Sequence, residues 1–155
     1  MTKQISIKTK FGWISAYENK GKIFKIKFGK SNKQKKSKVL ENFKINLLNF
    51  FTKKKQIQIP YKLTGNKIQK KIWRDLKKIK KGYTSTYGEI AKKNKLSPRH
   101  VGKICSQNKL LLIVPCHRVI RTDGSIGGFT SIGGTKLKEK ILKFEKKNLL
   151  SGFIH

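Results

Sequence analysis

Hydrophobic and polar positions alternate in two short stretches near the start of the chain, at residues 5–9 and 23–28. Between them, residues 11–17 are aromatic and β-prone, and a polar turn at 18–22 follows. A period of two is typical of a half-buried β-strand, and a polar turn between two such strands is typical of an antiparallel hairpin or meander. The pattern therefore predicts a small antiparallel sheet.

The spacing of the apolar residues changes after a lysine-rich loop at 29–38. Between residues 39 and 51, apolar side chains recur at the spacing of a helix with one buried face. Ile57 and Ile59 then alternate with polar residues, so we expect one more short strand and a linker at 53–60. The first part of the chain is thus predicted to be a sheet with a helix.

The rest of the chain has mainly helical patterns. An amphipathic stretch at 66–79 comes first. Thr86 and Glu89 then have the spacing of a capping box, in which two side chains satisfy backbone N–H groups at the start of a helix. Ser97 and Pro98 give a second start signal, with serine as the N-cap and proline at the first helical position.

Two short helices, joined by about six residues, are therefore expected within residues 86–107, and such a pair fits a helix-turn-helix. A final helix is expected to start with Thr135 as its cap. Glu145 lies on the apolar stripe of that helix, four residues after Ile141. A buried carboxylate is costly without a partner, and the candidates are a lysine or His117.

These elements predict an α/β (α+β) chain in two parts. A small N-terminal β-sheet-plus-helix lobe at 1–60 would precede a mainly helical domain at 61–155 that contains the helix-turn-helix. The formal net charge of +32 at pH 7 favours a polyanionic partner such as nucleic acid. Nearly all of the basic residues are lysines, however, so a general coding bias is the alternative explanation of the charge.

Several classes of protein are disfavoured. No apolar run approaches the ~20 residues that a membrane span needs, and the N-terminus lacks the apolar core of a secretory signal. Cys105 and Cys116 form no CxxC pair, which favours a reduced, cytoplasmic protein without disulfides. We expect neither a metal nor a cofactor, because no metal-ligand spacing and no glycine-rich nucleotide motif is present.

Cys116 and His117 are adjacent at the end of the apolar run 110–114, with Pro115 before them and Arg118 after them. A thiolate is a strong nucleophile, and a neighbouring imidazole or positive charge lowers the pKa of a thiol. We therefore expect a reactive Cys116 with His117 as its base. Because adjacent side chains point in different directions, His117 is expected to act through a water molecule. The alternative is a Cys116 that only fills space in the core.

The run Pro-Cys-His-Arg-Val at 115–119, with Asn108 eight residues before the cysteine, resembles the signature of the O6-alkylguanine-DNA alkyltransferases. The resemblance covers the helical part of the chain well and the first sixty residues only in general character. It implies that Cys116 accepts the alkyl group, that His117 is its water-mediated base and that Glu145 orients His117.

The same resemblance assigns residues to the binding of DNA and of the substrate base. Tyr87 would hydrogen-bond the extruded base, and Arg99 would fill the gap that the base leaves in the duplex. Asn108 would tie the helix-turn-helix to the active-site turn. The carbonyl of Val119 and the backbone near Thr130 would line the guanine pocket.

The implied function is DNA repair. The alkyl (methyl) group of O6-alkylguanine, with O4-alkylthymine as a further candidate, would move from a flipped-out base of double-stranded DNA to the protein's own cysteine. Pro115 and Arg118 would be structural members of the signature. Transfer would be irreversible and would occur once per molecule, without a cofactor, in a cytoplasmic monomer. The alternatives are a non-catalytic binder of alkylated DNA, a helix-turn-helix regulator with a structural cysteine and, less favoured, a cysteine hydrolase.

Overall fold

The computed structural model describes residues 2–53, 55–128 and 133–151, which form two compact units. Unit 1 comprises Met1–Thr64 together with Lys109–Ile113, and unit 2 comprises Gly65–Asn108 together with Val114–His155. The chain therefore returns to unit 1 for a short segment between the two parts that build unit 2.

Unit 1 contains a three-stranded antiparallel sheet and one helix. The strands lie in the order β1 (Lys3–Thr9), β2 (Gly12–Asn19) and β3 (Lys22–Phe28), and helix α1 spans Lys38–Thr52. The β2–β3 hairpin turns through Lys20 and Gly21, whose φ angles are 52° and 78°. Positive φ at both turn residues matches the right-handed twist of the strands that they join. The sheet and the helix confirm the sequence prediction.

One face of this sheet packs on α1 to form the core of unit 1. The register places Ile5 opposite Ala16 and Ile14 opposite Phe28, so these apolar side chains share a face. Each of the four is at most 5% exposed. They meet the buried face of α1, whose residues include Leu40, Phe43, Leu47 and Phe50.

The short strand expected at 53–60 does not form in its described part. Ile57 is buried, but the backbone N–H of Gln58 donates to the side chain of Asn46 at 2.9 Å instead of to a strand. Pairing of the described part of this segment with β3 is limited to an isolated parallel bridge at Tyr61, next to Pro60, whose carbonyl accepts from the Ile23 N–H at 3.0 Å. Alternation of apolar residues alone therefore gave a wrong prediction here.

Unit 2 is mainly helical. Its elements, in chain order, are α2 (Lys67–Leu76), β4 (Ser85–Thr86), α3 (Tyr87–Asn94), α4 (Pro98–Ser106), a 3₁₀ turn (Cys116–Arg118), β5 (Val119–Ile120) and α5 (Gly134–Ser151). The two-residue strands β4 and β5 pair in parallel. This pairing places the start of α3 beside the segment that follows the 3₁₀ turn.

Capping side chains start the helices of unit 2. The hydroxyl of Thr86 accepts from the Glu89 N–H at 3.0 Å, and Ser97 caps α4 in the same way at 3.1 Å. Glu89 contacts the Thr86 hydroxyl rather than the backbone N–H that a capping box requires. The reciprocal capping box is instead formed at the start of α2, by Asn66 and Gln69.

Two boundaries differ from the sequence prediction. The turn between α3 and α4 consists of residues 95–97, about half the expected length, and Lys95 ends α3 in the left-handed conformation with a φ of 57°. Thr135 is not the cap of α5, because the helix already begins at Gly134. The Thr135 hydroxyl lies 3.4 Å from the Gly127 carbonyl, to which it donates.

The fold class is nevertheless the predicted one. A small antiparallel sheet with a helix comes first, and a mainly helical unit with two successive short helices, α3 and α4, follows. Within the described ranges, no helix combines the length and the apolar character that a membrane crossing needs.

Candidate active site

Cys116 lies in a cavity of about 450 Å³ in unit 2. The lining of this Cys116 cavity includes Tyr87 at the start of α3, Arg99 and Cys105 on α4, and Gly128. Cavities of several hundred cubic ångströms are typical of sites for small organic ligands. The thiol therefore has access to a space in which a ligand of that size fits.

Asn108 and the local backbone hold Cys116 in place. The Cys116 N–H donates to the Val114 carbonyl at 2.8 Å. The side-chain amide of Asn108, two residues after α4, donates to the Cys116 Sγ at 3.2 Å and to the Val114 carbonyl at 2.8 Å. One amide group thus fixes both the thiol and the turn that carries it.

Burial raises the pKa of the Cys116 thiol, although the hydrogen bond from Asn108 and the charge of Lys138 oppose the rise. Cys116 is 6% exposed. The direction is opposite to the lowered pKa expected from the sequence, because a thiolate in so dry a site loses its hydration. Cys116 is therefore a protonated thiol at neutral pH and needs a base in order to react.

His117, Arg118 and Glu145 form a buried cluster, called here the Glu145 cluster, in which each side chain is 1% exposed. Glu145, on α5, accepts from the Arg118 Nε at 3.0 Å and from its Nη2 at 2.7 Å. Arg118 Nη1 also donates to the Ile79 carbonyl at 2.8 Å. His117 Nε2 lies 3.0 Å from the Glu145 Oε2, although the N–H direction is outside hydrogen-bond geometry.

The Glu145 cluster sets the charges of its members. Burial alone would raise the pKa of Glu145, but His117 and Arg118 outweigh it and lower that pKa to about 2. Burial lowers the pKa of His117, and the charge of Glu145 offsets only part of this effect. At neutral pH the pair is therefore an ionised carboxylate beside a neutral imidazole. Such an imidazole can accept a proton, and the carboxylate stabilises the imidazolium that forms.

Lys138 is a buried cation of the site that the sequence prediction missed. Its side chain is 0% exposed, and its ammonium donates to the Val119 carbonyl at 2.6 Å and to the Gly128 carbonyl at 3.2 Å. It also donates to the Tyr87 hydroxyl at 3.4 Å and lies 5.5 Å from the centre of the Tyr87 ring. Burial lowers the pKa of Lys138 to about 8, and the thiolate forms of Cys116 and Cys105 oppose this effect.

A signal for Lys138 was present in the sequence. It precedes Ile141 by three residues and Glu145 by seven, so it lies on the same inward stripe of α5. A lysine on an apolar stripe is costly without a partner, as a carboxylate is, so its position indicates a buried contact.

Tyr87 and Arg99 reach the Cys116 cavity from α3 and α4 respectively. Burial raises the pKa of Tyr87 to about 12, so the phenol keeps its proton. Arg99 is an exposed residue of the first turn of α4. Cys105 on α4 is buried and also lines the cavity, and burial raises its pKa to about 12.

Three further residues were predicted at the site from the sequence: Val119, Thr130 and Pro115. Val119 is buried, and its carbonyl is bound by Lys138; it is not among the described residues that line the Cys116 cavity. Thr130 lies outside the described residues. Pro115 precedes the 3₁₀ turn and accepts from the Arg118 N–H at 2.9 Å. In the described part of the chain, no three histidine, cysteine or acidic side chains are placed to hold a metal ion.

Sequence comparisons identify relatives of this part of the chain. The family described as 6-O-methylguanine DNA methyltransferase, DNA binding domain, matches residues 67–147. A methylated-DNA–protein-cysteine methyltransferase of Saccharomyces cerevisiae is 40% identical over 96 residues, which are 60% of this chain and 50% of that protein. One of Methanosarcina mazei is 41% identical over 102 residues, 64% of this chain and 63% of that protein. The chain thus spans about half of the length of the yeast relative and less than two thirds of the archaeal one.

Solved structures share the architecture of both units. An O6-methylguanine DNA methyltransferase from Methanococcus jannaschii is 30% identical, with a TM-score of 0.65 over 92% of this chain and 93% of that chain. The Mycobacterium tuberculosis OGT, crystallised in complex with DNA, has a TM-score of 0.84 over 94% of this chain and 93% of that chain; at 24% identity this is a likeness of fold. Because the family match spans more than half of the chain and contains the cavity, its thiol and the Glu145 cluster, this chain belongs to the 6-O-methylguanine DNA methyltransferase family.

Proposed function

We propose that this protein repairs alkylated DNA by transferring the alkyl group from the O6 atom of guanine to the sulfur of Cys116. The observation that carries the proposal is the Cys116 cavity itself. It combines a thiol with Tyr87 and Arg99 from two successive helices, and the residue next to the thiol, His117, contacts a buried carboxylate. A volume of about 450 Å³ is sufficient for one extruded base with its alkyl group.

The proposed partner is double-stranded DNA that contains an alkylated base. The target oxygen cannot be reached inside the duplex, so the base must leave the stack at a cost of a few kcal/mol. Arg99 is exposed and lines the cavity, so its guanidinium can occupy the gap in the duplex. A net charge of +32 supplies phosphate contacts that are independent of sequence.

Transfer requires the Cys116 thiol to lose its proton. In the proposed step, His117 accepts this proton through a water molecule, and Glu145 stabilises the imidazolium. The sulfur then attacks the alkyl carbon, so that an S–C bond forms while the C–O6 bond breaks and its electron pair stays on guanine. A proton then returns to the guanine. Thiol and O6-alkylguanine thus become thioether and guanine, with atoms and charge balanced.

Lys138 and Tyr87 are proposed to stabilise the negative charge that appears during this step. The Lys138 ammonium favours the Cys116 thiolate and contacts the Tyr87 hydroxyl, whose proton is available to the extruded base. Lys138 occupies one lone pair of the Val119 carbonyl, and the other lone pair, with the backbone near Thr130, is proposed to meet the guanine edge. Fixed donors at a site of developing charge are a major source of rate enhancement.

The thioether product contains no group that would release the alkyl carbon, so we expect one transfer per molecule and no cofactor. A monomer is proposed, because every described residue assigned to the reaction lies in unit 2 of one chain. A cytoplasmic location is proposed because both cysteines are free thiols, which persist in a reducing compartment.

The proposal is tested with a duplex that carries one O6-methylguanine with an isotopically labelled methyl group. Peptide mass spectrometry should find one label per protein molecule, on the peptide with Cys116 and not on the peptide with Cys105. Cys116→Ser should take up no label and still bind the duplex, because the thiol makes no phosphate contact. Duplex binding without label on the wild-type protein would contradict the transfer and would favour a non-catalytic binder of alkylated DNA.

A further inference from the structure

The face of the unit 1 sheet that points away from α1 carries aromatic and basic side chains. The register places Trp13 opposite Lys8 and Tyr17 opposite Lys25, and Lys27 follows on the same face. Trp13 and Tyr17 are both half-buried, so each residue is partly accessible. This outer face, defined by Trp13, Tyr17, Lys25 and Lys27, lies wholly in unit 1.

Lysine side chains lie over both rings of the outer face. The ammonium of Lys30 is 4.7 Å from the centre of a Trp13 ring. Those of Lys25 and Lys27 are 5.5 Å and 5.7 Å from the centre of the Tyr17 ring. Cation–π contacts at exposed sites are weak. A stacking ligand can therefore displace a lysine from a ring, and the displaced ammonium remains close enough to bind an anionic group of that ligand.

A groove of about 570 Å³ extends the aromatic surface at the end of the hairpin. Its lining includes Phe24 and three lysines, Lys20, Lys22 and Lys62. Phe24 lies at the bulge between β2 and β3, and the centre of its ring is 6.4 Å from that of Tyr17. Tyr17 and Phe24 thus lie close together with ammonium groups near them, and Trp13 lies four residues before Tyr17 on the same face of β2.

The charge of this region is almost entirely positive. Residues 1–64 contain 17 lysines and two glutamates, and neither glutamate belongs to the outer face. The carboxylate of Glu18 accepts from the Gly21 N–H at 2.9 Å, and Glu18 is 4% exposed. Glu41 lies in the first turn of α1. The outer face is therefore complementary to a polyanion.

A general excess of lysine does not account for the rings. It would add charge to every surface, but it would not place Trp13, Tyr17 and Phe24 along one side of a sheet. Single-stranded nucleic acids are bound by this combination, in which bases stack on aromatic side chains and a positively charged groove follows the backbone. A duplex hides the faces of its bases and cannot use the rings in this way.

We propose that the outer face and the Phe24 groove bind single-stranded DNA without sequence preference. Bases would stack on Trp13, Tyr17 and Phe24. Lys25 and Lys27 would neutralise the adjacent phosphates. DNA rather than RNA is proposed because the chain belongs to a family with a DNA-binding domain. The proposed site is independent of the Cys116 cavity and of alkyl transfer.

The test is a fluorescence anisotropy titration of the full chain into a short labelled oligothymidine that contains no alkylated base. Tyr17→Leu keeps an apolar side chain but removes the stacking ring, so binding should weaken about tenfold. Lys25→Gln combined with Lys27→Gln should lower the slope of log affinity against log salt by about 1.4, for two lost phosphate contacts. Lys38→Gln combined with Lys44→Gln, two exposed positions of α1, is the matched charge control and should leave the slope close to that of the wild type.

Two other ligands separate stacking from charge. Heparin is a polyanion without bases, so Tyr17→Leu should bind it as the wild type does, while the Lys25 and Lys27 double variant should bind it more weakly. Unchanged binding of oligothymidine to Tyr17→Leu, or an equal loss for heparin, would overturn the stacking site. Tighter binding of oligouridine than of oligothymidine would overturn the assignment to DNA.

Stacking can also be measured without a change at Tyr17. Trp73 is 3% exposed, whereas Trp13 is half-buried on the outer face, so a Trp73→Phe chain reports on Trp13 by its fluorescence. Oligothymidine should quench this emission and heparin should not; absence of quenching by oligothymidine would count against the site. Methyl transfer from free O6-methylguanine is measured in parallel. It should be the same in Tyr17→Leu as in the wild type, so failure of this site and failure of the transfer proposal are distinguishable.

Discussion

Asp75 and Glu145 are both buried carboxylates of unit 2, but their partners differ in exposure. Asp75 accepts from the side chain of Asn94 at 3.0 Å, and the ammonium groups of Lys71 and Lys78 each lie 3.6 Å from its oxygens. The side chains of these two lysines are 61% and 71% exposed. Glu145 meets partners in the Glu145 cluster that are 1% exposed.

The difference decides what each carboxylate contributes. Exposed ammonium groups are hydrated and screened by salt, so the ion pairs of Asp75 add little to stability. Buried partners are not screened, and the loss of one leaves the other as an uncompensated charge in a dry environment. Removal of a buried partner of Glu145 is therefore expected to lower the free energy of unfolding strongly. The Glu145 cluster also includes His117, the residue adjacent to Cys116.

The largest effect is expected from Arg118→Met. This change removes both hydrogen bonds from arginine to Glu145 and leaves the Ile79 carbonyl without the donor that Arg118 supplies. We expect a loss of about 3–5 kcal/mol in the free energy of unfolding, which is typical when one partner of a buried ion pair is removed. Urea unfolding followed by circular dichroism measures this change.

A double variant checks the cause of that loss. Arg118→Met combined with Glu145→Met removes both charges, so it should be less destabilised than Arg118→Met alone. A loss below about 1 kcal/mol for Arg118→Met would place the Glu145 cluster in the same class as the exposed pairs of Asp75.

The next effect concerns acid stability. The pKa of Glu145 is about 2 in the folded protein, against 4.5 for an ordinary glutamate side chain. Because the folded pKa is lowered, this group stabilises the fold above pH 4.5, and its contribution is lost as the pH falls towards 2. The shift corresponds to roughly 3 kcal/mol. The chain has only seven acidic residues, so one of them can dominate this range.

Glu145→Gln should therefore flatten the dependence of unfolding free energy on pH between 4.5 and 2, measured by urea unfolding at several pH values. Asp75→Asn is the matched control at the other carboxylate and should keep most of the wild-type slope. Equal flattening in the two variants would show that exposure of the partners does not distinguish them.

The third effect, smaller than the two above, is on the rate of alkyl transfer. It should be larger for a buried cation than for an exposed one. Lys138→Met removes the charge that favours the Cys116 thiolate, so transfer should slow about 100-fold, as for loss of one preorganised donor. Lys78→Met removes an exposed ammonium beside Asp75 and should leave the rate within about twofold. Single-turnover transfer to an O6-methylguanine oligonucleotide measures both rates.

The pH dependence of transfer separates a charge effect from damage to the fold. Without Lys138 the thiol pKa is higher, so the rate of Lys138→Met should continue to rise at a pH where the wild-type rate has levelled. A uniform reduction of the rate at every pH would show that Lys138 only supports the structure.

Local signals in the sequence predict most of the fold. The caps at Thr86 and Ser97 start helices α3 and α4. Alternation of apolar residues predicted β1 and β3, and the aromatic, β-prone stretch 11–17 predicted β2. The prediction of a strand at 53–60 was wrong because alternation of apolar and polar residues does not show whether a partner strand is available. The cap predicted at Thr135 was wrong by two positions, because α5 begins at Gly134 and the cap position is therefore Gly133.

The candidate site was less predictable than the fold. A short motif located Cys116, but the direction of its pKa shift depends on burial, which is a tertiary property. Lys138 was missed because, in a chain with so many basic residues, the sequence does not distinguish a buried lysine from the exposed ones. Its burial follows from the packing of α5 against the Val119 and Gly128 carbonyls, which are distant from it in sequence.

The smallest effect is expected from Asp75→Asn. Asparagine can still accept from the Asn94 amide, and the ammonium groups of Lys71 and Lys78 return to water, so the loss should be at most about 1 kcal/mol. Urea unfolding at about 0.05 M and about 0.5 M salt should show the free-energy gap from the wild type shrinking, because salt screens the attraction between Asp75 and the exposed ammonium groups. The free-energy difference between Arg118→Met and the wild type should hardly change over the same range, since salt does not screen charges that are buried. A loss for Asp75→Asn that is as large and as insensitive to salt as that of Arg118→Met would mean that burial of the carboxylate alone, and not exposure of its partners, sets the energy of these two clusters.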